Sequence, residues 1–537
     1  MKKKLSLAVI AALTLSMTAC QAQSTAEETT TMEETTTEAA ADEADDEANR
    51  GTGEQYTASD PKEHAIDADG EDQTYTNIGV VKTGDADSGD ESDFYGTNAA
   101  VIAQNGGSLT ISDSKICTDA AYANAVFAYG EGSTVDISDT TIETSEHNSG
   151  GIMVTGGGTL NADNLHITTE GGSSAAIRSD RGGGTMNVTG GKYETNGSGS
   201  PAIYSTADIT VNDAELNAGV AQAVVVEGKN SVTLNNCDVT GDNTVQNSDK
   251  TDLLQAVMVY QSMSGDADTG KGVFTMNGGT LTSKNGGMFF VTNTVAEINL
   301  DNVKLNYATD DLLRIQAEGW GNEGENGGQV TLNANDQSLS GIVTVDENSN
   351  LNMYLKGSSD FNGSIDNSGK VYVELDDGAT WTLTADSSVT GLTCGKDAIN
   401  LNGHKLTVNG VEYVEGNESN GEAIETVVYE SHGAPEMPPA GENGGAPDGQ
   451  NGQNGQAPDG KGPDGNGGQA PDGKMAPPSD GNGQAPADAG NGQTPPEKPD
   501  GDKGNGQTPP EKPDGDNSQT PPAKPDSSNT QSTDSKS

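Results

Sequence analysis

Apolar residues recur in pairs through the middle of the chain, with a step of five inside each pair. Ile111 and Ile116 form the first, then Ile137 and Ile142, Ala162 and Ile167, Val188 and Tyr193, and Val211 and Leu216. Leu234 and Val239, Met276 and Leu281, and Leu300 and Leu305 complete eight. The pairs start 26, 25, 26, 23, 23, 42 and 24 residues apart, so a unit of roughly 25 residues repeats, once with an insertion. Two positions beyond the first member stands Asp113, Asp139, Asn164, Gly190, Asp213, Asn236, Gly278 or Asn302. Asp, Asn and Gly tolerate the left-handed αL conformation best, so a tight bend is predicted inside every pair.

Apolar and polar residues alternate in the strand before each bend. Leu109, Val135, Leu160, Met186, Ile209, Val232, Phe274 and Ile298 point inward, and Thr110, Asp136, Asn161, Asn187, Thr210, Thr233, Thr275 and Asn299 point out. An upstream apolar position, Val101, Val126, Ile152, Ile177, Ile203, Val224, Val257, Met288 and Leu313, adds a strand to each unit. Three short strands per coil, stacked in register, make a parallel β-helix, an all-β solenoid. Antiparallel hairpins in a sandwich would not hold a constant step of five across eight units. About eleven rungs at about 4.8 Å each would give a rod of roughly 50 Å. The pattern, over residues 76–345, resembles the right-handed pectate-lyase-like superfamily, which has an αL residue at its second turn. The resemblance implies the fold. That fold hosts lyases, hydrolases, adhesins and inert stalks, so it does not imply an activity.

The chain ends read differently. Lys2, Lys3 and Lys4 precede the apolar run Leu5–Leu15, too short to span a bilayer, and Ser16-Met17-Thr18-Ala19-Cys20 follows. This resembles a bacterial lipobox, which implies a signal peptide over 1–19 and a lipid-modified Cys20 as the mature N-terminus. Residues 20–72 are rich in Thr, Glu, Ala and Asp and predict a disordered tether. The β-helix is expected over 73–345, with terminal rungs and a cap over 346–432, where Leu351–Leu355 and Val371–Leu375 alternate 20 residues apart. From 433 to 537 Gly, Pro, Asp, Gln and Asn dominate, and Gln493–Asp502 recurs from Gln507, predicting a disordered tail. The expected location is the extracellular face of a bacterial membrane, held by the N-terminal lipid.

Composition sharpens this picture. Gly numbers 72 of 537 residues, which fits αL bends and rung corners as well as a flexible tail. The formal net charge of -55 argues against nucleic acid, because phosphates would be repelled. Beyond Cys20, the thiols Cys117, Cys237 and Cys394 fall on rungs too far apart to bridge and are expected free, which suits an anaerobic setting. His64, His147, His166, His404 and His432 show no metal-ligand spacing. The molecule is expected to be a monomer.

Candidate chemistry concentrates on the first strand. Its outward column reads Ile102, Phe127, Met153, Arg178, Tyr204, Val225, Met258 and Phe289, beside a column of Ala and Gly at 100, 125, 151, 176, 202, 223, 256 and 287. A contiguous apolar stripe is either a shallow groove for an extended polymer or a surface covered by loops. Insertions at Gln261–Gly272 and Gln316–Gly328 leave the same corner and could wall it; the second carries Trp320. Trp320, Tyr204 and Phe127 are the candidate sugar-stacking residues, with Arg178 for an acidic group. Gly84–Gly89 is echoed by Gly265–Gly270, so Asp85, Asp87, Asp266 and Asp268 are candidate Ca²⁺ ligands, without the spacing of an EF-hand.

An enzyme of this fold would centre on Arg178, Asp180 and Arg181, acting on acidic polysaccharide as a lyase or hydrolase. The pair Asp310-Asp311 has Arg314 only three residues on and no Gly-His-Gly, so the polygalacturonase arrangement is not met. Lipobox, tether, Gly-rich rungs and polar tail together resemble adhesin-like and carbohydrate-binding β-helix lipoproteins of anaerobic bacteria. That resemblance implies surface display and glycan binding, and favours a non-catalytic role over the enzymatic alternative.

Overall fold

Each coil turns where the αL residues stand. All eight paired bends have φ between 44° and 64°, and Asn77 (55°) and Asp336 (47°) extend the column at both ends. Asn77 lies inside the pair Tyr75–Val80 and Asp336 inside Ala334–Leu339, the same step of five. The bends also bond to one another: the Asn164 amide donates to Asp139 Oδ1 at 2.8 Å, and the Asn236 amide to Asp213 Oδ1 at 3.3 Å. Asn164→Val should therefore cost about 1–2 kcal/mol more than Asn164→Gly, read from chemical-unfolding midpoints, because a β-branched residue cannot hold αL cheaply.

The computed structural model describes residues 50–87, 89–245, 248–262 and 264–426. The expected signal peptide over 1–19, Cys20 and the expected tail over 433–537 lie outside the described residues.

Three parallel sheets enclose one core. Among the described residues the first strands form a sheet of fourteen, from Ile66–Asp69 to Ile399–Asn400, and the second strands a sheet of thirteen, from Asp72–Thr76 to Gly391–Thr393. The third strands form a sheet of ten, from Gln55–Ala58 to Lys304–Asn306. Consecutive members of each column pair directly, as Ile116, Ile142 and Ile167 do. The molecule is a parallel β-helix with three strands per rung as far as Lys304–Asn306.

Four expectations need correction. Within the tether expected over 20–72, Gln55–Ala58 and Ile66–Asp69 are strands, and Ile66 is buried. They form part of an extra coil ahead of the first one anticipated. The Ala and Gly column does not point outward. Ala100, Ala125, Ala176, Ala202 and Ala223 are fully buried in the main core, and a Cβ on Gly151 would meet Ile167 Cγ2 at 2.6 Å. These residues line an inner corner of the coil, where only small side chains fit. In the first sheet, Val257 pairs with Phe289 and Met258 with Phe290. Phe289 is therefore core, packed against Phe274 at 6.0 Å, and Phe290 takes the outward place. Finally, the third sheet stops at Lys304–Asn306. From Ser338–Val345 onward the third and first strands run on as one, passing Gly341 (φ 119°), and pair with Asp360–Asn367.

In this last section Trp381 stacks on Phe361 with ring centroids 5.6 Å apart, and its indole donates to the Gly363 carbonyl at 3.0 Å. Leu406–Val408 and Val411–Glu412 close the end as an antiparallel pair. Cys117, Cys237 and Cys394 are buried and form no disulfide, and burial pushes the Cys237 and Cys394 thiols up.

Candidate functional site

From Ile102 to Phe290 the outward face of the first sheet is covered. A short helix, α1 (Gly89–Tyr95), begins with Asp90 and Glu91, whose charges suit a helix N-terminus. It belongs to the segment that lies over Ile102, Phe127 and Met153, with Tyr95 edge-on to Tyr129 at 5.7 Å. The Phe94 carbonyl accepts a hydrogen bond from Thr155 at 2.7 Å. Farther along, Val225, Met258 and Phe290 pack with Tyr204, Tyr260 and Trp320. The hydrophobic effect explains both covers, since an open apolar stripe of this length would be costly in water.

Between the two covers lies a buried charged cluster. Arg178 Nη1 and Nη2 each reach an Asp93 carboxylate oxygen at 2.9 Å, a bidentate pair, and Nη2 reaches Asp180 at 3.3 Å. The three residues are only 7–9% exposed. Burial pushes the Asp93 and Asp180 carboxyls up, against the pull of Arg178. Burial pulls the Arg178 guanidinium down, but the two carboxylates outweigh it and hold it charged. Arg181 pairs with Asp266 at 2.9 Å and lies over the Phe94 ring at 4.1 Å. The segment Arg178–Arg181 thus ties α1 and the 261–272 insertion to the same rung.

A second network adjoins it. Glu227 accepts hydrogen bonds from Tyr204 and Ser262, and from Tyr260 at 3.2 Å. Burial raises the Glu227 carboxyl and both phenols. This chemistry can hold the loop down; it leaves no open face for a substrate on these groups.

The sequence-predicted residues divide accordingly. Arg178, Asp180 and Arg181 do come together, but as latches. Tyr204 is half-buried with its hydroxyl committed to Glu227. Phe127 is fully buried beneath the α1 segment and offers no ring to a sugar. Trp320 is half-buried, edge-on to Tyr260 at 5.3 Å, and anchors its own loop, where Asn326 donates to its carbonyl at 2.8 Å.

The Ca²⁺ ligand set does not fit either. Asp266 is spent on Arg181 and Asp268 on Lys229 at 3.2 Å, while Asp85 accepts the Ala121 N–H at 2.8 Å and Asp87 is exposed. Among the described residues no group of three or more His, Cys, Asp or Glu is placed to hold a metal ion. The echo between the two loops has another cause: the central Ala86 and Ala267 are both buried, so each turn plugs a small residue into the surface.

Asp93, Glu227 and Tyr260 were not anticipated. Glu227 and Tyr260 pair in register one outward position beyond the Val225 and Met258 column, which continued alternation would have reached. No family model, curated protein or solved structure matches the chain.

Proposed function

We propose that the protein is a lipid-anchored, non-catalytic β-helix of the pectate-lyase-like type, displayed on the outer face of a bacterial membrane and binding carbohydrate there. One observation carries the preference for binding over catalysis. Of the acids and bases that an enzyme on this fold would need, Arg178 and Asp180 are buried and Arg181 is half-buried, and all three are paired and engaged in holding the covers down. The lipobox at Cys20 and the polar segments at both ends support display. The rungs offer long polar sheet faces, which suit hydroxyl-rich polymers.

The test uses the purified full chain on a glycan array and, in parallel, in solution with uronic-acid polysaccharides. Retention of one or more glycans with no unsaturated sugar formed is expected. Unsaturated or reducing products that disappear in Arg178→Lys would establish the lyase or hydrolase alternative instead. Failure to retain any glycan would remove the carbohydrate reading.

A further inference from the structure

Apart from Asn352 and Tyr372, where the segment around Ile424 bonds to Asn352, the outward residues of the second sheet in the two columns nearest its bends are exposed or half-buried, in contrast to the first sheet. Pairing places Asn212, Asn235, Asn277, Asp301, Asn335 and Lys356 in one column, rung upon rung. A neighbouring column runs Thr275, Asn299, Asn333 and Tyr354. The side chains bond along both columns. The Asn235 amide donates to Asn212 and the Asn277 amide to Asn235, each at 2.8 Å. Asn333 donates to Asn299 at 2.9 Å, Asn335 to Asp301 at 2.9 Å, and Lys356 to Asn333 at 3.1 Å.

The Asn235, Asn277, Asn333 and Asn335 amides each donate once within the ladder, which leaves further hydrogen-bonding capacity to face outward, while Asn299 donates to both Thr275 and Glu297. The ladder also fixes the amide planes, so a ligand need not order them. At this place the face sinks into a shallow depression of about 350 Å³, lined by Asn277, Asn299, Asp301, Asn333, Asn335 and Lys356, with Leu300 at its floor. Asp301 and Lys356 cancel in charge, so the patch is neutral on a chain of net charge -55. Beside it the half-buried Tyr354 stands edge-on to Tyr372 at 6.0 Å, with the Lys356 ammonium 5.6 Å from its ring. A net-neutral trough of hydrogen-bonding side chains with an aromatic ring at one end matches a neutral sugar polymer better than an ion or an apolar partner. The fit extends to spacing. Rungs advance about 4.8 Å, comparable with one pyranose residue of an extended chain, so a polymer lying along the axis meets a fresh pair of side chains at each sugar.

We propose that this amide-lined depression, and not the covered first sheet, is a binding site for a neutral, extended polysaccharide. The proposal rests on the carbohydrate-binding reading above and gives it a place and a ligand class.

The test is retardation of the full chain in native gels containing a neutral β-glucan or mannan, with a uronic-acid polymer for comparison. Wild type should be retarded by a neutral polymer, and added salt should leave the effect intact, because no ion pair is made. Asn277→Ala/Asn333→Ala should bind about tenfold more weakly or worse. Tyr354→Ala should also weaken retention. Asn161→Ala/Asn187→Ala, in the same kind of column on distant rungs, should leave it unchanged. Equal unfolding midpoints for the variants and wild type show that the surface and not the fold was altered. Retention that survives both the double variant and Tyr354→Ala, or retention by the acidic polymer alone, overturns the site but leaves carbohydrate binding standing. Absence of retention by every glycan in gel and array removes both.

Discussion

Arg178→Met should destabilise the protein by about 3–5 kcal/mol near neutral pH, because it leaves Asp93 and Asp180 buried without their cation. Met keeps most of the volume, so lost packing is a minor part. The size of the loss should depend on pH in a definite direction. Burial already raises both carboxyls in the folded protein, and without Arg178 they rise further. The folded variant therefore holds more protons than the unfolded chain, over the window from the ordinary Asp range up to the raised folded values. Its stability must then increase as pH falls through that window. Unfolding midpoints at about pH 7.5 and about pH 5 should show the gap to wild type narrowing in acid. The triple variant Arg178→Met, Asp93→Asn, Asp180→Asn should recover most of the loss at neutral pH, since the cost lies in the unpaired charges. A small loss that ignores pH would mean that solvent reaches these carboxylates.

Trp381→Ala should have a comparable effect at the other end of the coil, about 3–5 kcal/mol. The indole is fully buried, stacked on Phe361 and hydrogen-bonded to the Gly363 carbonyl, so its loss opens a cavity and orphans an acceptor. The surroundings cannot collapse to fill it. A Cβ on Gly363 would already lie 2.1 Å from the Gly341 carbonyl oxygen, so the backbones of successive rungs are in contact there. Because a solenoid rung touches only its neighbours, the damage should stay local. Hydrogen exchange should speed up across 338–413 while 101–292 keeps its protection. Uniform loss of protection along the chain would show that the coil unfolds as one unit. Trp381→Phe, which keeps a ring but no donor, should cost about 1–2 kcal/mol.

Much of the fold was legible because its turn is chemically demanding. A bend at φ near 50° restricts one position to Asp, Asn or Gly, and a fixed step of five on either side makes that restriction visible eight times. The register slipped only where the pattern was silent: Met288, Phe289, Phe290 and Val291 are all apolar, so alternation could not say which of them faces in. The first coil was missed because Gln55–Ala58 is composed like the polar stretch before it. The covers were invisible for a different reason. Arg178 reaches Asp93, and Arg181 reaches Asp266, each across 85 residues, and such a contact leaves no local trace. The Ala and Gly column misled because strict alternation applies within a strand and fails at the corner before it.

Those two contacts have a consequence for how this protein can evolve. Solenoids ordinarily change length by duplicating or deleting a whole unit, since every rung accepts the next. Here Arg178 and Arg181 look back to the segment that precedes one coil and forward to an insertion several coils on, so the number of units between them is counted. Gain or loss of a unit between 101 and 260 would carry one latch past its partner, and on the side of Asp93 it would strand a buried charge. Growth by repeat duplication is thus confined to the coils beyond the second cover, where the rod is free to lengthen.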